Sequence, residues 1–220
     1  MSAASDAAEA PPSLKAFLLT AVLWLPLAFF LWFVVRSVVV YLPIKLAGAG
    51  LLAWMPDLFD SITQEFANAV VITKFEVPGF EAVADGQLAV ISTDVDALMY
   101  CYGWPILLAL VMATPMTWAR TFLQLGIGFV VLVPTQAFGV AGGILRDLSY
   151  LAGDPLRIAI EGQGLSQYLI AFWYQTGYLI LPPIMPVVAW ILMNRRFIES
   201  IAGPFREPDA PAGGPKVPAP

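Results

Sequence analysis

Residues 16–35 read AFLLTAVLWLPLAFFLWFVV, twenty positions without a charge, entered from Lys15 and closed by Arg36. A helix rises about 1.5 Å per residue and the hydrocarbon core of a bilayer is about 30 Å thick, so about 20 apolar residues make a spanning helix. The run is too long and too aromatic for a signal-peptide core, and it lacks a small-x-small cleavage site before a polar stretch. It predicts an uncleaved anchor over 15–36, with Pro26 as a kink.

Three later stretches follow the same rule. Residues 98–117 open on Tyr100, Tyr102 and Trp104, aromatic residues that favour the membrane–water boundary. Residues 121–145 are interrupted by Pro134 and Gln136, and 166–193 by Gln175, Pro182, Pro183 and Pro186. Internal prolines are tolerated where neighbouring helices satisfy the freed backbone groups, which favours a bundle over isolated spans. The expected fold class is mainly α: a polytopic membrane protein with four transmembrane helices and a small extracytoplasmic α+β insert between the first and second.

Composition agrees. The 220 residues are 59% hydrophobic and only 12% charged, against roughly a quarter charged in soluble domains. Histidine is absent, which excludes His-based acid–base catalysis, Ser-His-Asp and Cys-His nucleophiles and imidazole metal sites. The single cysteine, Cys101, can form neither an internal disulfide nor a CxxC metal site. No P-loop, dinucleotide fingerprint, HExxH or nucleophile elbow occurs, no basic stripe suggests nucleic acid, and no cofactor is expected.

Charge placement sets the expected orientation. Lys15, Arg120, Arg195, Arg196, Arg206 and Lys216 flank one side, whereas 37–97 is dominated by acids that include Asp57, Asp60, Glu65, Glu76, Asp94 and Asp96. Arg36 argues the other way, and the C-terminal flank decides. Both termini are expected in the cytoplasm, with 37–97 and the loop 146–165 outside. The first 14 residues and the tail within 194–220, from about 204, are expected to be disordered.

Residues 37–56 are apolar but carry Pro43 and Lys45. As a fifth span they would bury both and reverse everything downstream. They are read as a continuation of helix one or an interfacial helix with a snorkelling lysine, and a re-entrant segment is the alternative. The β-branched stretches 68–77 and 87–93, joined by a turn around Pro78, Gly79, Asp85 and Gly86, predict a hairpin over 68–93. Two strands alone are marginal, so the hairpin must pack on the membrane surface, on a partner, or on an amphipathic helix at 57–67.

Candidate sites follow, each beside its structural reading. Cys101 has no base in sequence to activate it and reads as a packing residue. Asp94 and Asp96 share a strand face and could meet a cation or a basic partner, but two carboxylates fall short of a metal shell and fit a solvated acidic lip. Gln136 and Gln175 are polar at membrane depth, suited to bonds between helices or, less well, to a polar path through a small transporter or channel subunit. Gly126, Gly128, Gly139, Gly142 and Gly143 permit close helix contact. A membrane enzyme using Cys101 or the aspartates with an arginine ranks last.

Two stretches carry a family resemblance. Leu98-Met99-Tyr100-Cys101-Tyr102-Gly103-Trp104-Pro105 leads into an apolar run, and Tyr174-Gln175-Thr176-Gly177-Tyr178-Leu179-Ile180-Leu181-Pro182 precedes Pro186, Trp190 and Asn194-Arg195-Arg196-Phe197. With the Ile72–Phe75 strand, these resemble the exosortase H-associated membrane proteins over roughly residues 15–198. The family's Leu-x-Tyr-x-Tyr-Gly-x-Pro element falls on Leu98, Tyr100, Tyr102, Gly103 and Pro105, while Asp96-Ala97 stands where an Asn-Pro-like pair is expected. The resemblance implies a bacterial inner-membrane protein, a non-enzymatic accessory of an exosortase system, which processes proteins with a PEP-CTERM-like sorting signal. Its implied partner, besides membrane lipid, is an exosortase-like peptidase or transpeptidase. Exosortases use a Cys, Arg and His set, and a chain without histidine looks like the accessory. Tyr100, Tyr102, Trp104 and Pro105, with Asp94 and Asp96, are the expected partner contacts.

Overall fold

The structure is a computed structural model that describes residues 13–76 and 90–202. The expected turn at Pro78–Gly86, the start of the 87–93 strand, the first dozen residues and the tail from 203 lie outside the described residues. Helices α1 (Leu14–Val34) and α2 (Arg36–Trp54) lead to strands β1 (Phe59–Glu65), β2 (Asn68–Glu76) and β3 (Val90–Asp96). A 3-10 turn (Leu98–Tyr100) opens α3 (Gly103–Ala113), then α4 (Trp118–Tyr150) and α5 (Asp154–Gly162). Helix α6 (Gln167–Gln175), a π-helical turn (Thr176–Ile180) and α7 (Leu181–Met193) form one rod, followed by α8 (Arg195–Ala202).

Four helical stretches are long and apolar enough to cross a membrane: Leu14–Val34, Arg36–Trp54, Trp118–Tyr150 and Gln167–Met193. The fold class read from the sequence therefore stands: mainly helical, four candidate spans and a small antiparallel insert. One member of the set differs. Arg36–Trp54 qualifies, while 98–117 holds a 3-10 turn and an eleven-residue helix of about 16 Å. The helix starts late because the 3-10 turn uses up 98–100, and it stops at Thr114, which the following Pro115 holds in an extended conformation (ψ 121°).

Helix α1 is capped by Ser13, whose Oγ accepts from Ala16 N at 3.3 Å, and it buries only Phe17, Ala21 and Ala28. An apolar helix exposed on most of its circumference suits lipid. It breaks at Val35 (ψ 19°), and Arg36 donates to Phe33 O at 3.2 Å across the break. Beyond it, α2 touches α1 only around the joint. It packs instead on α4 and β1 through Val40, Ile44, Ala47 and Leu51, spaced on one helical face.

The sheet follows α2, in the order β1-β2-β3, all antiparallel. Residues 57–67 are thus corrected from an amphipathic helix to the strand β1, and the insert has three strands rather than two. A register shift between Phe59 and Ser61 breaks the strict alternation that would have announced a strand. Gln64 ties this edge to α2 by donating to Ser37 O at 2.7 Å, and Gly48 lets Ile62 approach, since a Cβ there would lie 3.2 Å from the isoleucine.

The two ends of the bundle are distinct. At one, Phe17 stacks on Trp190 (5.1 Å between centroids) and meets Phe197 edge-on (5.5 Å). Nearby, Gln124 Nε2 donates to Asn194 Oδ1 (2.8 Å) while Asn194 Nδ2 donates to Gln124 Oε1 (3.0 Å). The start of α1, the end of α3, the start of α4 and the α7–α8 junction therefore meet at this end. The sheet, α5 and the end of α4 make the other.

Candidate functional site

The two motif-bearing stretches, more than 70 residues apart in the chain, meet in one seam against the glycine face of α4. The seam begins with three prolines. In a helix a carbonyl accepts from the N–H four residues on, or five in a π turn, and proline has none. Pro182 and Pro183 thus leave the Tyr178 carbonyl without either donor, while Pro186 and Pro183 remove the four-residue donors of the Pro182 and Leu179 carbonyls. Tyr102 Oη supplies the missing donor, reaching Tyr178 O at 3.0 Å. Gly103 closes on the second carbonyl: a Cβ at that position would sit 2.8 Å from Pro182 O. The consecutive Tyr102 and Gly103 thus meet two of the proline-freed carbonyls.

Above them, Tyr100 is buried (1% exposed), its ring edge-on to Tyr174 (6.5 Å) and Tyr178 (6.2 Å), which stack on each other at 5.7 Å. Space for it exists because α4 carries glycine there. A Cβ on Gly139 would lie 2.9 Å from the Tyr100 ring, and one on Gly143 would lie 2.8 Å from its Cζ. Gly177 touches Gly139 backbone to backbone, with a Cβ-to-Cα approach of 2.6 Å were it alanine. Small residues facing one another are how membrane helices reach such distances. Arg146, paired with Asp147 at 2.6 Å, lies 4.9 Å over the Tyr174 ring.

The remaining expected residues fall around this seam. Trp104 is half-buried, tilted against Phe129 at 6.0 Å, and Pro105 is buried. With Ala28, Trp32, Val39 and Leu108 they line an apolar groove of about 190 Å³ at the α1–α2 joint. Asp94 and Asp96 are both exposed on β3, and Asp96 Oδ1 accepts from Leu98 N at 2.9 Å, which starts the 3-10 turn. Cys101 is fully buried. Gln136 is buried, and its amide nitrogen and oxygen have no partner among the described residues, so it does not bond Gln175, which is exposed. Among the described residues no cluster of His, Cys, Asp or Glu is placed to hold a metal ion.

Sequence reasoning missed the pairing of Tyr102 with Tyr178 and the role of Arg146. The first had a readable signal, since a helix interrupted by Pro182, Pro183 and Pro186 must find donors elsewhere. The second had none, because Arg146 and Tyr174 are brought together by the crossing of α4 and α6. Seen chemically, the seam is built of aromatic rings, glycines and a substituted hydrogen bond, and its parts are used on each other.

Comparison with curated proteins and with solved structures finds no match. Residues 11–197, which include both motif stretches and every element from α1 to α7, match the profile of the family described as exosortase H-associated membrane protein. The chain belongs to the exosortase H-associated membrane protein family.

Proposed function

We propose that the protein is a non-enzymatic accessory of a bacterial exosortase-type sorting system, a scaffold that holds a membrane-embedded peptidase or transpeptidase through helix and outer-face contacts. Family membership supports the association. The observation that carries the accessory role is the seam: Tyr100, Tyr102 and Gly103 are spent on joining the chain to itself, and the Cys101 thiol is sealed inside it. What the same motif turns outward is Trp104, on the groove at the α1–α2 joint. The acidic strand β3 offers Asp94 and Asp96 as the outer-face contact.

Orientation follows from the ends of the bundle. Lys15, Arg120, Arg195 and Arg196 are exposed at the end where α1 begins and α7 finishes, and Asp57, Asp60, Asp94 and Asp96 at the other. By the positive-inside rule the termini lie in the cytoplasm and the sheet outside, in the inner membrane.

The test is co-purification with the exosortase encoded in the same genome. Trp104→Ala should lower the recovered exosortase about tenfold, the scale of a buried aromatic contact, while the variant is still extracted as a folded, monodisperse protein. Undiminished recovery sinks the groove as the contact. A transport role draws support from Gln136 and Thr176, whose buried side-chain polar atoms lack partners among the described residues. Solute flux in proteoliposomes is its test.

A further inference from the structure

Helix α2 has the length and hydropathy of a span, yet both of its ends stand at one level. At about 1.5 Å per residue, Arg36 stands about 28 Å along the chain from Phe17, which marks the Trp190 end of the bundle. At the other end of α2, Trp54 stacks on Trp173 at 6.1 Å, and Trp173 stands about 30 Å up the last rod from Met193 at that same Trp190 end. The sheet also lies along the whole helix. Gln64 of β1 donates to Ser37 O in the first turn, Ile62 faces Gly48 at mid-helix, and Lys74 of β2 donates to Pro56 O at 2.9 Å just past the end. That sheet exposes Asp60, Glu65, Lys74, Glu76, Asp94 and Asp96. Hydrocarbon accepts neither an open sheet edge nor charge at this density, so a helix flanked by the sheet from end to end does not cross. Parity agrees: Trp190 Nε1 donates to Thr114 Oγ1 at 2.9 Å, which returns residue 114 to the Phe17 end. Helix α1 leaves that end and 98–114 comes back, so α2 crosses nothing.

We infer that α2 lies in the plane of the membrane, with its uncovered face docked on the phospholipid of the leaflet where α1 ends. Val38, Tyr41, Leu42, Lys45, Leu46 and Trp54 are exposed along that face, turned away from the side that packs on α4 and β1. Two observations name lipid as the occupant. The face continues from α1, an apolar helix about 31 Å long and exposed on most of its circumference, and Val34, Val35 and Val38 carry that surface across the joint without a break. That length matches the hydrocarbon thickness of about 30 Å, so a leaflet boundary falls at Arg36, where α2 begins. The one charge on the face is Lys45, whose Nζ lies 5.9 Å from the Tyr41 ring, and Trp54 stands at its end. Tyrosine and tryptophan on an apolar helix face sit at headgroup level, and a lysine there lays its stem on the apolar surface with its charge in water. The helix is thereby held between the sheet and the lipid.

The full-length protein is tested alone in phosphatidylethanolamine–phosphatidylglycerol proteoliposomes, so the outcome is independent of any exosortase contact and of which end is cytoplasmic. Single spin labels go on Val38→Cys, Leu42→Cys, Leu46→Cys and Ala53→Cys of α2, and on Leu19→Cys, Leu23→Cys, Leu27→Cys and Leu31→Cys of α1, all exposed positions. Cys101 is fully buried, and the parent chain is the control for its labelling. Depth is read from collision with oxygen and with a water-soluble nickel complex. The α2 labels should share one shallow depth, within about 5 Å of each other, while successive α1 labels step by about 6 Å through the bilayer centre. Labels on α2 that step through the centre as those on α1 do would make it a span and overturn the inference. So would α2 labels open to nickel but not to oxygen, which places the face in water, or shielded from both, which gives it to protein.

Discussion

The glycines of α4 are not equivalent, and the difference is set atom by atom. A methyl group on Gly143 would be driven into the Tyr100 ring, which is wedged between α4 and the Tyr174–Tyr178 stack, while one on Gly126 would meet nothing within 4 Å. Gly143→Ala should therefore cost about 1–3 kcal/mol through overpacking, and Gly126→Ala should be neutral or slightly stabilising through helix propensity. Thermal unfolding in detergent separates the two: a clear fall in midpoint for position 143 and none for 126. Equal effects would mean that Tyr100 has room to move. Both glycines were visible in the sequence as permitting close contact. Which of them needs to be glycine was not, because that depends on a tyrosine some 40 positions earlier and on the rotation of α4 that faces it.

At the scale of elements, the seam between α3 and the last rod depends on a substituted hydrogen bond. Tyr102→Phe should leave the Tyr178 carbonyl with no donor and lower stability by about 1–3 kcal/mol, the cost of an unsatisfied buried group. Restoring a backbone N–H by Pro182→Ala in the same chain should recover part of that loss, and the double variant should unfold above Tyr102→Phe alone. An additive or worse double variant would show that the hydroxyl is not acting as the proline's replacement. Elements were legible where periodicity was plain: the apolar runs that became α1, α4 and the last rod, and the β-branched stretch that became β2. They were obscured where local chemistry interrupted the pattern. The register shift beside Asp60 hid β1, and the 3-10 turn at Leu98–Tyr100 shortened α3 to a length that composition alone could not reveal.

For the whole molecule, the meeting of Phe17 with Trp190 and Phe197 puts the first and last helical segments at one end. With Cys101 replaced, a membrane-impermeant thiol reagent should label Asp60→Cys and Glu161→Cys in intact spheroplasts, and Ser200→Cys only after lysis. Labelling of position 200 in intact cells would invert the proposed topology. All three positions are exposed, whereas Ser149 is 4% exposed and would report packing in place of sidedness. The count of four apolar stretches and the family were both readable from the chain. The joining of the two motifs was not, since it follows from how α3, α4 and the last rod cross.

The proline-broken rod also has a mechanical consequence. A helix lacking rungs between Tyr178 and Pro186 is more compliant there than an unbroken one, so Gln167–Gln175 can tilt against Leu181–Met193 at a lower elastic cost. Tyr102 ties that soft section to α3 by a hydrogen bond, and the chain runs from it back through the Leu98–Tyr100 turn into β3 with no slack linker between. Load applied to Gln167–Gln175 is thereby passed toward the edge of the sheet. The parts are those of a lever: a fulcrum at the prolines, Gln167–Gln175 as the short arm and the edge of β3 at the far end of the linkage.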